Sequence, residues 1–477
     1  MIAEEFSRRD ALGLAELVKR REIKPIELVE EAVRRIEALN PALNAVVLKL
    51  YDLARGMAES PLPDGAFQGI PFVMKDLATQ WQGVPTRNTC RYFPDVAAAQ
   101  DSDISSRLRQ AGFILVGKSN SPENGWALST EPALYGVTRN PWNDQVVPGG
   151  SSGGSAVAVA SGMVPLADAS DGAGSIRVPA ANNGLIGLKP SRGRVTLGPD
   201  QVDYWYGGAV FLCVSRSVRD TAAYLDAVCG AWPGEPYALA KPDRPYLSLA
   251  ATPPARLRVG FTTTSPGGGP VHPEVKAAVE ATARLCEGLG HAVEEKPLAL
   301  DFAAAFTNYV RVTAVQTAAG FDAVAAAVGR PATPADVEPT TWAIIARGRS
   351  ISGPDHAIHV ETMRRHGKAI VGQLAPYDVY LTPTLPQPSR PLGWYDMSET
   401  DIDRYNATKM MPDCAFTAPF NISGQPAMSV PMHWTPDGLP VGVQLVGRIG
   451  DEATLIQLAA QLEQAAPWGH RRPPVSL

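Results

Sequence analysis

Apolar residues recur at helical spacing over the first fifty positions. Asp10 is placed to cap a helix running to Lys19, because its carboxylate accepts backbone N–H groups that have no partner inside the helix. Pro25 opens a second helix, with Leu28, Val29, Ala32, Val33 and Ile36 on one face and an end near Asn40 and Pro41. From Gly69 the texture changes to short apolar runs punctuated by Gly and Pro. Residues 70–74 and 113–116 read as buried strands, the first followed directly by Lys75 and the second by Gly117 and Lys118. Helical patterns at 102–111 and 218–228 alternate with them, which predicts an α/β sheet flanked by helices.

A Pro-rich stretch from about 231 to 255 opens a second texture. Strand (257–261), helix (273–289) and strand follow, and 300–375 is mainly helical, with Ala-rich segments suited to walling a site. Strand patterns return at 381–384 and 440–446, and an amphipathic helix closes the chain at 452–465. No internal repeat or low-complexity tract divides the sequence, so it reads as one large domain.

Composition narrows the class. Of 477 residues, 45% are hydrophobic and 19% charged, which excludes disordered and fibrous proteins. A net charge of −5 without a long Lys/Arg run argues against a nucleic-acid partner. Five scattered cysteines with no C-x-x-C suit a reducing cytosol better than a disulfide framework. The N-terminus lacks an apolar signal core. The most apolar stretch, 156–167, is broken by Ser161, Gly162 and Pro165, well short of the ~18 residues a membrane span needs. The expectation is a soluble cytoplasmic protein with no membrane partner.

The chemistry is concentrated in residues 139–198. Pro148-Gly-Gly-Ser-Ser-Gly-Gly-Ser155 and Ser170-Asp-Gly-Ala-Gly-Ser-Ile-Arg-Val-Pro179 flank an Ala/Val-rich segment. Flexible turns are the simplest reading of such runs. A phosphate loop needs Lys after its second Gly, where Ser155 and Ala156 stand. Gly149-Gly-Ser-Ser-Gly153 matches a nucleophile elbow, but the residues before it are too few and too polar for the required strand. Ser175 is the better nucleophile candidate: a strand end, a Gly172-Ala-Gly174 loop and a helix start would surround its hydroxyl with unpaired N–H groups.

A serine nucleophile needs a base. The seven histidines all lie beyond residue 271, and His356, His359 and His366 read as a polar helix face, so no metal site is expected. Lys75, ending an apolar strand, is the other candidate. Bringing a lysine from ~10.4 to near 7 takes about 4–5 kcal/mol of desolvation and nearby positive dipoles.

These motifs resemble those of the amidase signature family, the Ser–cis-Ser–Lys amidohydrolases. The likeness covers the N-terminal helices through Leu39-Asn-Pro-Ala-Leu-Asn-Ala-Val46, Gly69-Ile-Pro-Phe-Val-Met-Lys-Asp76, the whole 139–198 block and Pro419-Phe-Asn-Ile-Ser-Gly-Gln-Pro-Ala427. It implies a large mixed, twisted β-sheet covered on both faces by α-helices, in a single domain spanning 1–477. Its parts are N-terminal helices (1–65), a catalytic core (66–230), a variable, mainly helical substrate-pocket region (231–375) and a return to the core sheet (376–477).

The resemblance further implies Ser175 as the acylated nucleophile, Ser151 as the bridging serine on a cis peptide bond, and Lys75 as the base. Gly172, Ala173, Gly174 and Ser175 would supply oxyanion N–H groups, with Ser152, Asp171 and Arg177 supporting the loop. Gly125 and Trp126 would border the acyl pocket, and Tyr309 and Trp342 are further candidates to line it. One departure stands out: the family usually reads Asp-Thr-Gly-Gly-Ser, and Ala173 puts a Cβ where Gly is usual, straining any φ > 0 there.

The loop, Arg139-Asn-Pro-Trp-Asn143 and Arg192-Gly-Arg194 lean toward the nylon-oligomer (6-aminohexanoate cyclic dimer) hydrolase branch, with bacterial aryl-amide and carbamate hydrolases close by. The implied function is a serine hydrolase of carboxylic amides, extending to cyclic or aryl amides, esters or carbamates. It would use water and no cofactor, and a homodimer is an assembly open to it. The alternative is a glutaminase-type subunit of a tRNA amidotransferase, in which Gln usually occupies the place of Val178.

Overall fold

The Asp10 carboxylate accepts the Gly13 N–H at 3.0 Å, and the helix Ala11–Lys19 follows from that cap as expected. The next helix, Pro25–Leu43, runs past Pro41. Its last turn survives because Asn44, in the left-handed region at φ 50, donates its N–H to the Asn40 carbonyl at 2.8 Å. The Asn40 side chain then accepts the Ala45 and Val46 N–H groups and turns the chain into the first strand.

The computed structural model describes residues 2–199, 201–232 and 234–477. Among the described residues, eleven strands form one sheet. They are β1 (Val46–Lys49), β2 (Pro71–Lys75), β3 (Ile114–Ser119), β4 (Leu166–Asp171), β5 (Ile186–Lys189), β6 (Val210–Ser215), β7 (Arg258–Phe261), β8 (Ala292–Glu295), β9 (Val379–Pro383), β10 (Ala427–Trp434) and β11 (Pro440–Gly447). Their spatial order is β1-β3-β2-β4-β6-β5-β10-β11-β9-β7-β8. The sheet is mixed: β2 runs parallel to both β3 and β4, β7 is parallel to β8 and β9, and the remaining pairs are antiparallel.

Every residue of β2 through β6 is buried. Alternate side chains of a strand point to opposite faces, so complete burial means that both faces are covered. The helix Gly153–Ala160 packs on β2 and β4, and all eight of its residues are buried, which explains an apolar sequence with no polar stripe. The helices Val218–Val228, Pro273–Gly288 and Glu452–Ala465 add further cover, close to where periodicity placed them. Residues 300–375 form three long helices, Phe302–Val328, Pro339–Ser350 and Gly353–Leu374, the first packing on both others.

Candidate active site

Strands β2 and β4 run side by side in parallel, with Val73 level with Ala167. Their C-terminal ends therefore bring Lys75 beside Ser170 and Asp171, at the edge where open α/β sheets hold their ligands. Lys75 is 0% exposed, and its Nζ lies 2.7 Å from Ser151 Oγ and 2.9 Å from Ser170 Oγ. Burial pulls the ammonium down to about 7, against the opposing pull of Asp168 and Asp171. Asp168, also fully buried, is itself pushed up to about 7 by desolvation, with Lys118 opposing. Ser170 as a second hydroxyl partner of Lys75 was not found in the sequence, although it directly precedes the Asp171 singled out there.

The Gly150–Ser151 peptide bond is cis. The Gly/Ser run around it is tightly packed: a Cβ on Gly150 would stand 2.3 Å from the Ser129 carbonyl oxygen. Close approach, not looseness, is what glycine provides here. Ser152 Oγ bonds the Ser170 carbonyl at 3.2 Å and accepts the Ser170 N–H at 3.3 Å, joining the start of the 153–160 helix to β4.

The loop after β4 is held by a buried ion pair. Arg177 donates through Nε and a terminal nitrogen to the two Asp171 oxygens, each at 2.9 Å, and both side chains are fully buried. Its remaining donors reach Thr417 O, Gln444 Oε1 and Asn421 Oδ1, at 3.0, 2.7 and 2.6 Å. Burial alone would raise the Asp171 carboxyl, but Arg177 and the Asn421 amide hold it well below the usual carboxylate range. Arg177→Leu leaves a buried carboxylate without its partner, and urea denaturation should show a loss of about 3–5 kcal/mol.

Gly174 departs from its expected role. Its N–H is donated to Asp171 Oδ1 at 2.8 Å and so is already engaged. The N–H groups of Gly172, Ala173 and Ser175 have no partner among the described residues. Gly174 has φ 135, and a Cβ there would lie 2.8 Å from Thr417 Oγ1, so glycine is required at this position. Ala173 lies outside the positive-φ region, so its Cβ brings no backbone strain.

Two side chains from distant segments orient these peptides. Tyr309 OH donates to the Gly172 carbonyl, and Thr417 Oγ1 donates to the Ala173 carbonyl at 2.6 Å. The C=O and N–H of a trans peptide point in opposite directions, so holding these carbonyls aims the Ala173 and Gly174 N–H groups. Thr417 carried no signal in the sequence that would have marked it.

Ser175, 7% exposed, opens onto a cavity of about 350 Å³. The helix beyond it starts at Arg177, two residues later than expected. Gly125 and Trp126 both line the cavity, and a Cβ on Gly125 would lie 3.2 Å from Ser151 Oγ. Trp126 packs on Trp205 with ring centroids 5.2 Å apart, and Tyr309 meets Trp205 edge-on at 6.3 Å. Trp205 sits directly over Gly172, where a Cβ would come within 2.2 Å of its ring.

Trp342 does not join this wall. It packs with Tyr92 and Phe321 in a separate cluster and lies under the Arg349 guanidinium. None of the seven histidines lines the cavity; His356 bonds Tyr206 OH and His359 bonds Asn308. Trp205, Phe306, Tyr405 and the Met410–Met411 pair were missed in the sequence, because no local pattern distinguishes a cavity-facing aromatic from a core one.

Known proteins resemble this chain along nearly its whole length. The family described as Amidase matches residues 27–456. The chain is 39% identical to the 6-aminohexanoate-cyclic-dimer hydrolase of Pseudomonas sp. (strain NK87) over 476 residues, covering 98% of this chain and 96% of that one. A solved structure of 6-aminohexanoate cyclic dimer hydrolase superposes with a TM-score of 0.93 at 37% identity, covering 98% of this chain and 99% of the other. The crystal structure of a bacterial aryl acylamidase superposes with a TM-score of 0.86 at 29% identity, covering 97% of both chains.

Proposed function

We propose a mechanism for a chain that belongs to the amidase signature family and hydrolyses carbon–nitrogen bonds of carboxylic amides other than peptide bonds. In this reading neutral Lys75 accepts a proton through Ser151 as Ser175 attacks the amide carbonyl. The N–H groups of Gly172, Ala173 and Ser175 receive the developing oxyanion, and such a donor is typically worth ~3–4 kcal/mol. The same relay returns the proton to the leaving amine, and water then hydrolyses the Ser175 ester. Arg177, Asp171 and Ser152 act by fixing the loop.

The observation that carries this reading is the buried Lys75 amine, held at about 7 and bonded to Ser151 Oγ at 2.7 Å. An amine in that state has a lone pair available at neutral pH. Cyclic and aryl amides are the proposed substrates, with esters and carbamates as related acyl donors. The apolar, aromatic-walled cavity and the likeness to a cyclic-dimer hydrolase and an aryl acylamidase support cyclic and aryl amides. A glutaminase-type subunit of a tRNA amidotransferase is the more distant relation, and Val178, buried beside Gly174, offers no amide group to the loop. A cytosolic setting is supported by five free, buried cysteines.

A fluorophosphonate probe tests the nucleophile. One label per chain, mapped to the peptide containing Ser175, is expected to appear in step with loss of anilide turnover. Full labelling at another residue, or full labelling with activity retained, would overturn the assignment.

A further inference from the structure

The cavity that Ser175 opens onto is mostly apolar, and most of its polar side chains are already engaged. Arg347 forms a two-point ion pair with Asp403 at 2.9 and 2.7 Å, so those two charges cancel. Thr313 Oγ1 donates to the Val310 carbonyl at 3.0 Å, and Tyr309 is committed to Gly172. Besides the Ser175 hydroxyl and the Trp205 indole N–H, which also lack partners among the described residues, three polar side chains stand together. Arg311, Thr307 and Asn406 line the cavity and are half-buried; their side chains make no hydrogen bond and no close ion pair to a described residue, and Arg311 acts on Asp403 only at longer range.

Thr307 and Arg311 stand four residues apart on the helix Phe302–Val328 and therefore share one flank of it. Asn406 approaches from the segment Asn406–Met410. The result is two guanidiniums, Arg311 and Arg347, against one carboxylate, Asp403, which feels both of them, so one net positive charge borders an apolar space of about 350 Å³, with a hydroxyl and an amide beside it. A guanidinium presents its donors in a planar fork that fits the two oxygens of a carboxylate, and it gains most where water is partly excluded.

We propose that the site takes amides carrying a carboxylate remote from the scissile bond, with Arg311 holding that carboxylate and Thr307 and Asn406 adding hydrogen bonds. The proposal rests on the amidase mechanism above and names the substrate class for the same cavity. The apolar lining accommodates the aliphatic or aryl spacer between the two ends. The carboxylate belongs either to the acyl half or to the amine half, and the experiment separates these two sources.

Two matched substrate pairs are compared in steady-state assays. In the acyl arm, the mono-anilide of a medium-chain dicarboxylic acid is set against the anilide of the corresponding monocarboxylic acid. In the amine arm, an acylated ω-amino acid is set against the acylated alkylamine of equal length. In one arm the carboxylated member should be preferred by roughly 10- to 100-fold in kcat/KM, mainly through KM, the range of one charge-assisted hydrogen bond. The arm that shows the preference identifies the half that Arg311 contacts. Arg311→Gln should bring that ratio to about 1, Arg311→Lys should restore part of it, and added NaCl should reduce it in the wild type.

Wild-type ratios near 1 in both arms, or a preference that survives Arg311→Gln, would overturn the proposal while leaving the mechanism standing. Absence of turnover on all four substrates, or turnover that survives Ser175→Ala, would instead overturn the mechanism and this proposal with it.

Discussion

Ser175→Ala should lower kcat/KM for a chromogenic anilide by roughly a million-fold, the scale on which serine hydrolases respond to loss of the nucleophile. The alanine leaves the free N–H groups of Gly172 and Ala173, the cavity and the Lys75–Ser151 pair in place. What disappears is the oxygen that forms the ester, so direct attack by water is the only route left. The hydroxyl has no partner among the described residues and the site is 7% exposed, so its removal leaves no buried polar group unsatisfied. The thermal midpoint should therefore stay within a few degrees of wild type. Turnover that persists undiminished in the folded variant would end the assignment of Ser175.

The second large effect concerns Lys75 and pH. With the amine held at about 7, wild-type kcat/KM should fall about tenfold per pH unit below 7, as protonation removes the acceptor for the serine proton. Lys75→Met should abolish that limb and lower the plateau by about 10⁴-fold or more, the scale of losing a positioned base. A limb unchanged in position in Lys75→Met would assign the titration to another group, with Asp168, pushed up to about 7, the first to examine.

Stability carries a second sign. The unfolded chain keeps the Lys75 proton up to its ordinary range near 10.5, whereas the folded chain releases it near 7. The unfolded state thus binds more protons between these values, and this group's contribution to stability rises with pH across that window. Denaturant titrations of wild type and Lys75→Met at pH 7 and 9 should show wild type gaining relative to the variant as pH rises.

Lys75, Ser151 and Ser175 were legible as candidates because their neighbours form motifs: an apolar strand ending in lysine, and two Gly/Ser runs flanking a small-residue segment. The short strand β5, with Gly187 in it, and β10, with Pro431 in it, were harder to see. Glycine and proline count against a strand locally; here a Cβ on Gly187 would lie 2.7 Å from Ala180 Cβ, and Pro431 sits at a register shift beyond the residues that pair with β5. The oxyanion loop shows a similar limit. A Gly-rich sequence indicates that backbone N–H groups can be exposed, but not which one Asp171 will occupy. Gly174 was grouped with the free donors for that reason, and the Asp171 carboxylate, held in place by Arg177 and Asn421, takes it.

By itself the sequence determined what depends on neighbours a few residues away. These features include the Asp10 cap, the helices Val218–Val228 and Glu452–Ala465 with their periodic apolar faces, and the identity of the side chains available for chemistry. The tertiary structure alone decided how those side chains behave. Lys75 is pulled down to about 7 because strands and helices from across the chain exclude water from it. The loop peptides point as they do because Tyr309 and Thr417 reach them from more than 130 residues away. The cavity is apolar with one net positive charge because helices from 302–350 and the 402–411 segment meet there. Proton affinity, donor direction and pocket lining are set by which atoms surround a group in space, and that information exists only once the chain has packed.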